Sequence, residues 1–155
     1  MAGPSATTGR SADRPWPVRR SFRVTFHDLD PLDHLNHAVY FPWMETLRCD
    51  YYLALTHATD PRSLDIIIAE ATCRYLAPLR YGDEVVGEVA PAEPLGRTSF
   101  TLLYRFRHAV SSSVVARGRT VAVTYDYARA TKVSIPDDRR RAFEADLVDP
   151  ATEGW

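Results

Sequence analysis

HDLDPLDHLNHAVYFPWMETLRCDYYLAL, residues 27–55, decides the reading of this chain. Its second half is helical by period. Tyr40, Met44, Leu47, Tyr51 and Leu55 recur at three- and four-residue intervals, and Trp43 and Ala54 widen the stripe. Glu45, Thr46, Arg48, Cys49 and Asp50 fall off that stripe, so an amphipathic helix with one broad buried face is expected. Pro42 lacks an amide donor and is comfortable only in a first turn, which sets the regular start near Phe41. The first half crowds Asp28, Asp30, Asp33, His27, His34, His37 and Asn36 into the approach to that helix. Such a junction reads as a helix cap, a metal site or an acid/base site.

Upstream, SFRVTF alternates, with Phe22, Val24 and Phe26 on one face, and reads as a strand. Downstream the period changes to two. LDIIIAEATCRYLAPL, EVVGEVAPAEP, RTSFTLLYRFRH and VVARGRTVAVTYDY are separated by turn-forming YGD, PLG and AVSSS. Their short connections predict an antiparallel four-strand meander, with Phe100, Leu102, Tyr104 and Phe106 facing one way. IPDDRRRAFEADL closes the chain as a short helix, with Asp137 and Asp138 at its positive end. The economical packing for one long helix and five strands is an α+β architecture, the antiparallel sheet wrapped around the helix, which is the hotdog arrangement.

The 155 residues suffice for one domain, expected over 20–148, with an N-terminal tail over 1–19 and a C-terminal tail over 149–155. A net charge of −1, from 19 basic and 20 acidic residues, argues against a nucleic-acid binder. Cys49 and Cys73 stand alone, without a CxxC pair, which fits a reducing compartment. No apolar run approaches the about 20 residues of a membrane helix, and the N-terminus has no apolar signal core. A cytoplasmic location is the resulting expectation.

The chain also resembles hotdog thioesterases of the hydroxybenzoyl-CoA thioesterase family over roughly residues 21–147. The resemblance lies in the Asp-x-Asp of Asp28 and Asp30, in HAVY (residues 37–40), similar to the His-Ala-x-Tyr of the Tol–Pal-associated branch, and in the helical Glu-x-x-Arg. YLAPLRYGDEV and IPDDRR are similar to later family segments. Many members have glycine where this chain has Asp33. The resemblance implies an acyl-thioester hydrolase acting on acyl-CoA or an acyl-carrier protein, without metal or organic cofactor, as a homodimer or homotetramer. It implies Asp30 as the catalytic carboxylate, either general base or nucleophile. It places the backbone N–H of His37 as the oxyanion donor at the helix N-terminus, with the His37 side chain orienting water or aiding proton transfer.

Each residue also has a plainer reading. Asp30 before Pro31 suits an Asx turn or a cap, Asp28 a structural turn, Asp33 a cap, and Asn36 the fixing of the loop. His37 also suits a surface or interface position. Glu45 suits an ion pair with Arg48, with a helix carboxylate acting in place of Asp30 as the alternative. A calcium loop fails, because Asp33 sits where glycine is needed and Val39 where Glu is needed. A zinc shared by His34, His37 and Asp30 lacks an obvious fourth ligand. The arginines at 74, 97, 105, 107, 117 and 119 are candidates for phosphate contacts or for pairing with Glu70, Glu84 and Glu88. The competing functions are a hotdog hydratase/dehydratase and a non-catalytic acyl-thioester-binding module.

Overall fold

The computed structural model describes residues 16–155. In them the chain runs β1 (Val18–Arg23), α1 (Tyr40–Thr56), β2 (Ile66–Tyr75), β3 (Glu84–Leu95), β4 (Ser99–His108), β5 (Val114–Asp126), β6 (Thr131–Lys132) and α2 (Asp137–Asp146). Every strand pairing is antiparallel. The strand order is β1-β3-β4-β5-β2, with the two-residue β6 paired to the end of β5. The five long strands curl around α1, which meets β1, β2 and β3. This is the hotdog arrangement.

Burial explains the curl. Phe100, Leu102, Tyr104 and Phe106 of β4 all lie buried in one cluster with Tyr40, Trp43, Met44, Leu47, Tyr51 and Tyr52 of α1. Aromatic contacts bind the layers at both ends. Phe22 stacks on Trp43 at 4.8 Å, and Phe100 stacks on Phe143 of the last helix at 4.5 Å. Pro42 falls in the first turn of α1, where its missing donor has no partner to lose.

Two glycines set the spacing of helix and sheet. A Cβ at Gly118 would overlap Met44 Sδ, and one at Gly87 would come within 2.8 Å of Phe22 and 2.9 Å of Leu47. The backbones of β5 and β3 therefore serve as the floor on which α1 rests.

The expected meander holds for β3, β4 and β5 only. β2 does not pair with β3 across the Tyr81–Asp83 turn. It lies on the far edge against β5, from Ile66↔Thr124 to Tyr75↔Ala116. The reason lies in residues 76–83. Leu76 and Ala77 still donate to the Val115 carbonyl, and Leu79 is then buried and accepts from the Leu35 N–H at 2.8 Å. The segment crosses the mouth of the curled sheet instead of turning back on itself.

The first strand also lies earlier than its alternation suggests. β1 ends at Arg23, Val24 is buried beyond it, and Phe26 is 75% exposed in a 3-10 turn. Of the tail expected over 1–19, residues 1–15 lie outside the described residues. Trp16 is buried on the outer face of the sheet with Ala90, Ala92 and Leu103, under the Arg105 guanidinium at 4.6 Å. The C-terminal segment folds onto the same face. Val148 bonds to the Pro91 carbonyl, Glu153 to Arg105 at 2.8 Å, and Trp155 joins the Trp16 cluster.

Gly118→Ala is expected to destabilise the fold by about 1–3 kcal/mol through overpacking against Met44. Urea unfolding should show a lower midpoint at unchanged slope. A wild-type midpoint would mean that α1 retreats freely from the sheet.

Candidate active site

The junction of residues 25–40 is fixed almost wholly by its own polar side chains. Thr25 donates to Asp28 Oδ2 from its N–H at 2.7 Å and from its hydroxyl at 2.6 Å, so Asp28 is a turn residue. Leu29 and Leu35 then bridge as a minimal antiparallel pair. Between them the chain reverses over Asp30-Pro31-Leu32-Asp33, with the Asp33 N–H bonded to the Asp30 carbonyl at 3.1 Å and proline at its favoured second position. Asp33 takes φ 60°, in the left-handed region. The tight turn is thus kept without glycine, by a residue type that tolerates this conformation better than most.

Asp30 Oδ1 accepts from the N–H groups of Leu32 at 2.8 Å and His34 at 3.2 Å. That is the Asx-turn role. Oδ2 accepts from no donor among the described residues. Asp30 is half-buried in the wall of a cavity of about 390 Å³ that also meets His34, His37, Tyr40, Tyr75 and Leu79.

On the opposite side of this junction, Asn36 caps a 3-10 turn, His37–Val39, by accepting from the Ala38 N–H at 2.9 Å. Asn36 is itself held by the Asp28 carbonyl at 2.8 Å. The turn runs directly into α1. The His37 N–H, first in the turn, bonds to no acceptor among the described residues, as is usual for a helical first turn. The His37 carbonyl accepts from the Tyr75 hydroxyl at 3.1 Å, and the two rings meet edge to face at 6.1 Å.

Tyr75 is not singled out by the sequence. Its only signal there is a position two residues after Cys73, on one face of β2. Burial, aided by Cys73, pushes the Tyr75 phenol up to about 12. Burial likewise pushes the Cys73 thiol up to about 11. Both groups are protonated at neutral pH, so Tyr75 is a donor and Cys73 supplies no thiolate.

Asp30, His34 and His37 line one cavity, yet no three His, Cys, Asp or Glu side chains among the described residues gather as a metal ion requires. Glu45 lies outside the Asp30 cavity, one helical turn before Arg48. Arg48, expected off the buried stripe, has a side chain only 11% exposed. The strand arginines are mostly paired on the outer face. Arg105 and Arg107 hold Glu88, Arg119 holds Glu70, and Arg97 holds the Ser134 hydroxyl.

Asp33→Val should lower the melting temperature by several degrees, about 1–2 kcal/mol, because a β-branched residue is strained at positive φ. Asp33→Gly should not lower it. Calorimetry on both variants checks the pair, and equal losses would remove the left-handed turn from the account.

A sequence model of the thioesterase-like superfamily matches residues 24–143. No curated protein matches the chain. Among solved structures it is similar to a thioesterase from Thermus thermophilus complexed with coenzyme A and Zn, at 29% identity and TM-score 0.74, covering 83% of this chain and 98% of that one. It is similar to a gentisyl-coenzyme A thioesterase at 28% identity and TM-score 0.68, covering 82% of this chain and 99% of that one. A thioesterase-superfamily protein from Jannaschia sp. CCS1 shares 26% identity at TM-score 0.73, covering 83% of this chain and 82% of that one.

Proposed function

This chain belongs to the thioesterase-like superfamily, and on that premise we propose that it hydrolyses acyl thioesters of coenzyme A or of an acyl-carrier protein, with Asp30 as the catalytic carboxylate. The carrying observation is that Asp30 and His37 line one cavity, and that among the described residues Asp30 Oδ2 has no donor and the His37 N–H no acceptor. The Thermus protein with coenzyme A bound and the gentisyl-coenzyme A thioesterase support coenzyme A as the carrier. The Asp28-x-Asp30 and His37-Ala38-x-Tyr40 motifs support a place beside the hydroxybenzoyl-CoA thioesterases within the superfamily.

In this reading Asp30 Oδ2 takes a proton from water as the water oxygen attacks the thioester carbonyl. The developing oxyanion is held by the His37 N–H, a backbone donor that needs no reorganisation during the reaction. Collapse breaks the carbon–sulfur bond, and the proton on Asp30 passes to the leaving thiolate. Direct attack by Oδ2 on the carbonyl, followed by hydrolysis of the resulting anhydride, uses the same two groups. The His37 imidazole orients the water. Tyr75 holds the His37 peptide in place.

Asp30→Asn should fold normally, because the amide oxygen still accepts from Leu32 and His34. It should lose about 10²- to 10⁴-fold in turnover, the usual worth of a positioned acid/base group. His37→Ala should lose less, since its N–H survives. Thiol release from a panel of acyl-CoA and acyl-carrier substrates measures both. Wild-type turnover by Asp30→Asn would overturn the assignment, and a large loss in Glu45→Gln instead would move the chemistry to the helix. Activity confined to enoyl-CoA would select the hydratase, and binding without turnover would select the binding module.

The assembly proposed is a homodimer, or a homotetramer built from such dimers. Among the described residues β2 has a partner on one edge only, and Ile67, Ile68 and Tyr75 are exposed along it. An open apolar edge strand is ordinarily covered, and a second copy of the same edge covers it by symmetry. No helix among the described residues is long and apolar enough to cross a membrane. Light scattering should return twice or four times the chain mass. A fully active monomer at micromolar concentration would refute it.

A further inference from the structure

The seam between α1 and β2 stays open beyond the Asp30 cavity. It holds two more hollows, of about 240 Å³ and about 560 Å³. Phe41, Pro42 and Ala71 line the nearer one, and Leu64, Ile66 and Tyr127 the farther one. Glu45, Arg48 and Ile68 belong to both. The walls are mainly apolar, and the hollows follow the helix away from its N-terminus. A mostly apolar cavity with a few converging polar groups is the usual form of a small-molecule site.

Arg48 is the unusual member. Its side chain is 11% exposed, and its carboxylate neighbour Glu45, itself 67% exposed, is 4.0 Å away. That separation is longer than a hydrogen bond. The Tyr104 hydroxyl, bonded with Thr120 Oγ1 at 2.9 Å, takes one hydrogen bond from Arg48 and leaves the other donors of Arg48 over. A guanidinium carries five N–H donors, and a buried cation is costly without an acceptor to match it. The larger hollow is lined by Arg48 and Arg62 against the single carboxylate of Glu45. Arg62 stands at the rim, held by Asp60 at 3.1 Å. With Arg62 matched by Asp60, Arg48 is the lining cation whose carboxylate neighbour stands beyond hydrogen-bond length.

We infer that the seam receives the acyl part of the thioester and that Arg48 selects an acyl group ending in a carboxylate. The inference rests on the thioesterase reading of the Asp30 site. A ligand carboxylate takes the paired N–H donors of Arg48, and the exposed Glu45 swings into water. The helix fixes the length. His37 and Arg48 are eleven positions apart (48 − 37), which is about 16 Å of helix rise. An extended chain covers about 1.2 Å per bond, from three backbone bonds per residue. The arginine side chain leans back toward the helix N-terminus and shortens the span. An acyl group of about eight to twelve carbons therefore joins the reacting carbonyl to Arg48.

The test compares coenzyme A monothioesters of straight-chain dicarboxylic acids of about six to twelve carbons with methyl-ended thioesters of equal length. Wild-type kcat/KM should favour the carboxyl-ended series by about 10- to 100-fold, the worth of a hydrogen bond to a charged group. Arg48→Met should abolish that preference, and Arg48→Lys should keep part of it. A wild-type preference for methyl-ended chains, or the same carboxyl preference in Arg48→Met, would overturn the inference. If Arg48→Met does not fold, the wild-type preference and Arg48→Lys decide. If no thioester of either kind turns over, the thioesterase reading fails by itself. Calorimetric titration with the free dicarboxylic acids then tests the site separately: binding by wild type that Arg48→Met lacks upholds it, and no binding by wild type removes it.

Discussion

How closely α1 approaches the sheet governs everything else in this structure. The distance is set where Met44 meets Gly118 and where Leu47 and Phe22 meet Gly87. With no side chain at those two points, the helix lies almost on the backbone of β5 and β3. The aromatic residues to either side then bend the strands around it, with Tyr104 and Phe106 buried beneath α1 and Phe100 beneath α2. A helix seated so deeply is surrounded on more than one side. Its N-terminal turn emerges at the mouth of the curl, where residues 76–83 cross, and there His37 and Asp30 line one cavity.

The same geometry separates what the sequence shows from what it hides. Periodicity reports faces, and it reports the central ones correctly. The helical stripe from Tyr40 to Tyr51 is buried, and so is the alternating row of β4. Periodicity does not report neighbours, so the place of β2 beside β5 is not legible in it. A spacing of eight residues after β2 looks like a turn in one dimension and spans a mouth in three. Alternation also runs past the end of β1, because Val24 is buried without belonging to the ladder. Arg48 is misplaced by its period for a further reason. A helical wheel assumes one buried face, and a wrapped helix has more than one.

At the site, the two readings of Asp30 compete in the sequence, yet they use different atoms. Oδ1 closes the turn through two N–H bonds, and Oδ2 is left over. Residue type and spacing cannot divide a carboxylate in this way. The turn at Asp33 is similarly hidden, since aspartate is not the residue that a left-handed position advertises. Tyr75 is out of reach altogether, because its link to His37 joins residues 38 positions apart across strands whose pairing the pattern leaves open.

The distribution of charge completes the division of labour between the two faces of the sheet. On the outer face Glu88 is buried and bonded by Arg105 at 2.9 Å and by Arg107 at 3.0 Å, and Arg105 reaches Glu153 as well. Burial alone would raise the Glu88 carboxyl, but Arg107 and Arg105 hold it below the usual carboxylate range. A depressed acid contributes stability above its unfolded pKa, and that contribution is lost only as pH falls through the lower folded value. The pairing of Glu88 with Arg105 and Arg107 is therefore intact throughout the neutral range. The outer arginines have spoken-for partners and serve the fold. Arg48, on the inner side, bonds to the Tyr104 hydroxyl and stands 4.0 Å from the exposed Glu45, a looser pairing than those of the outer face.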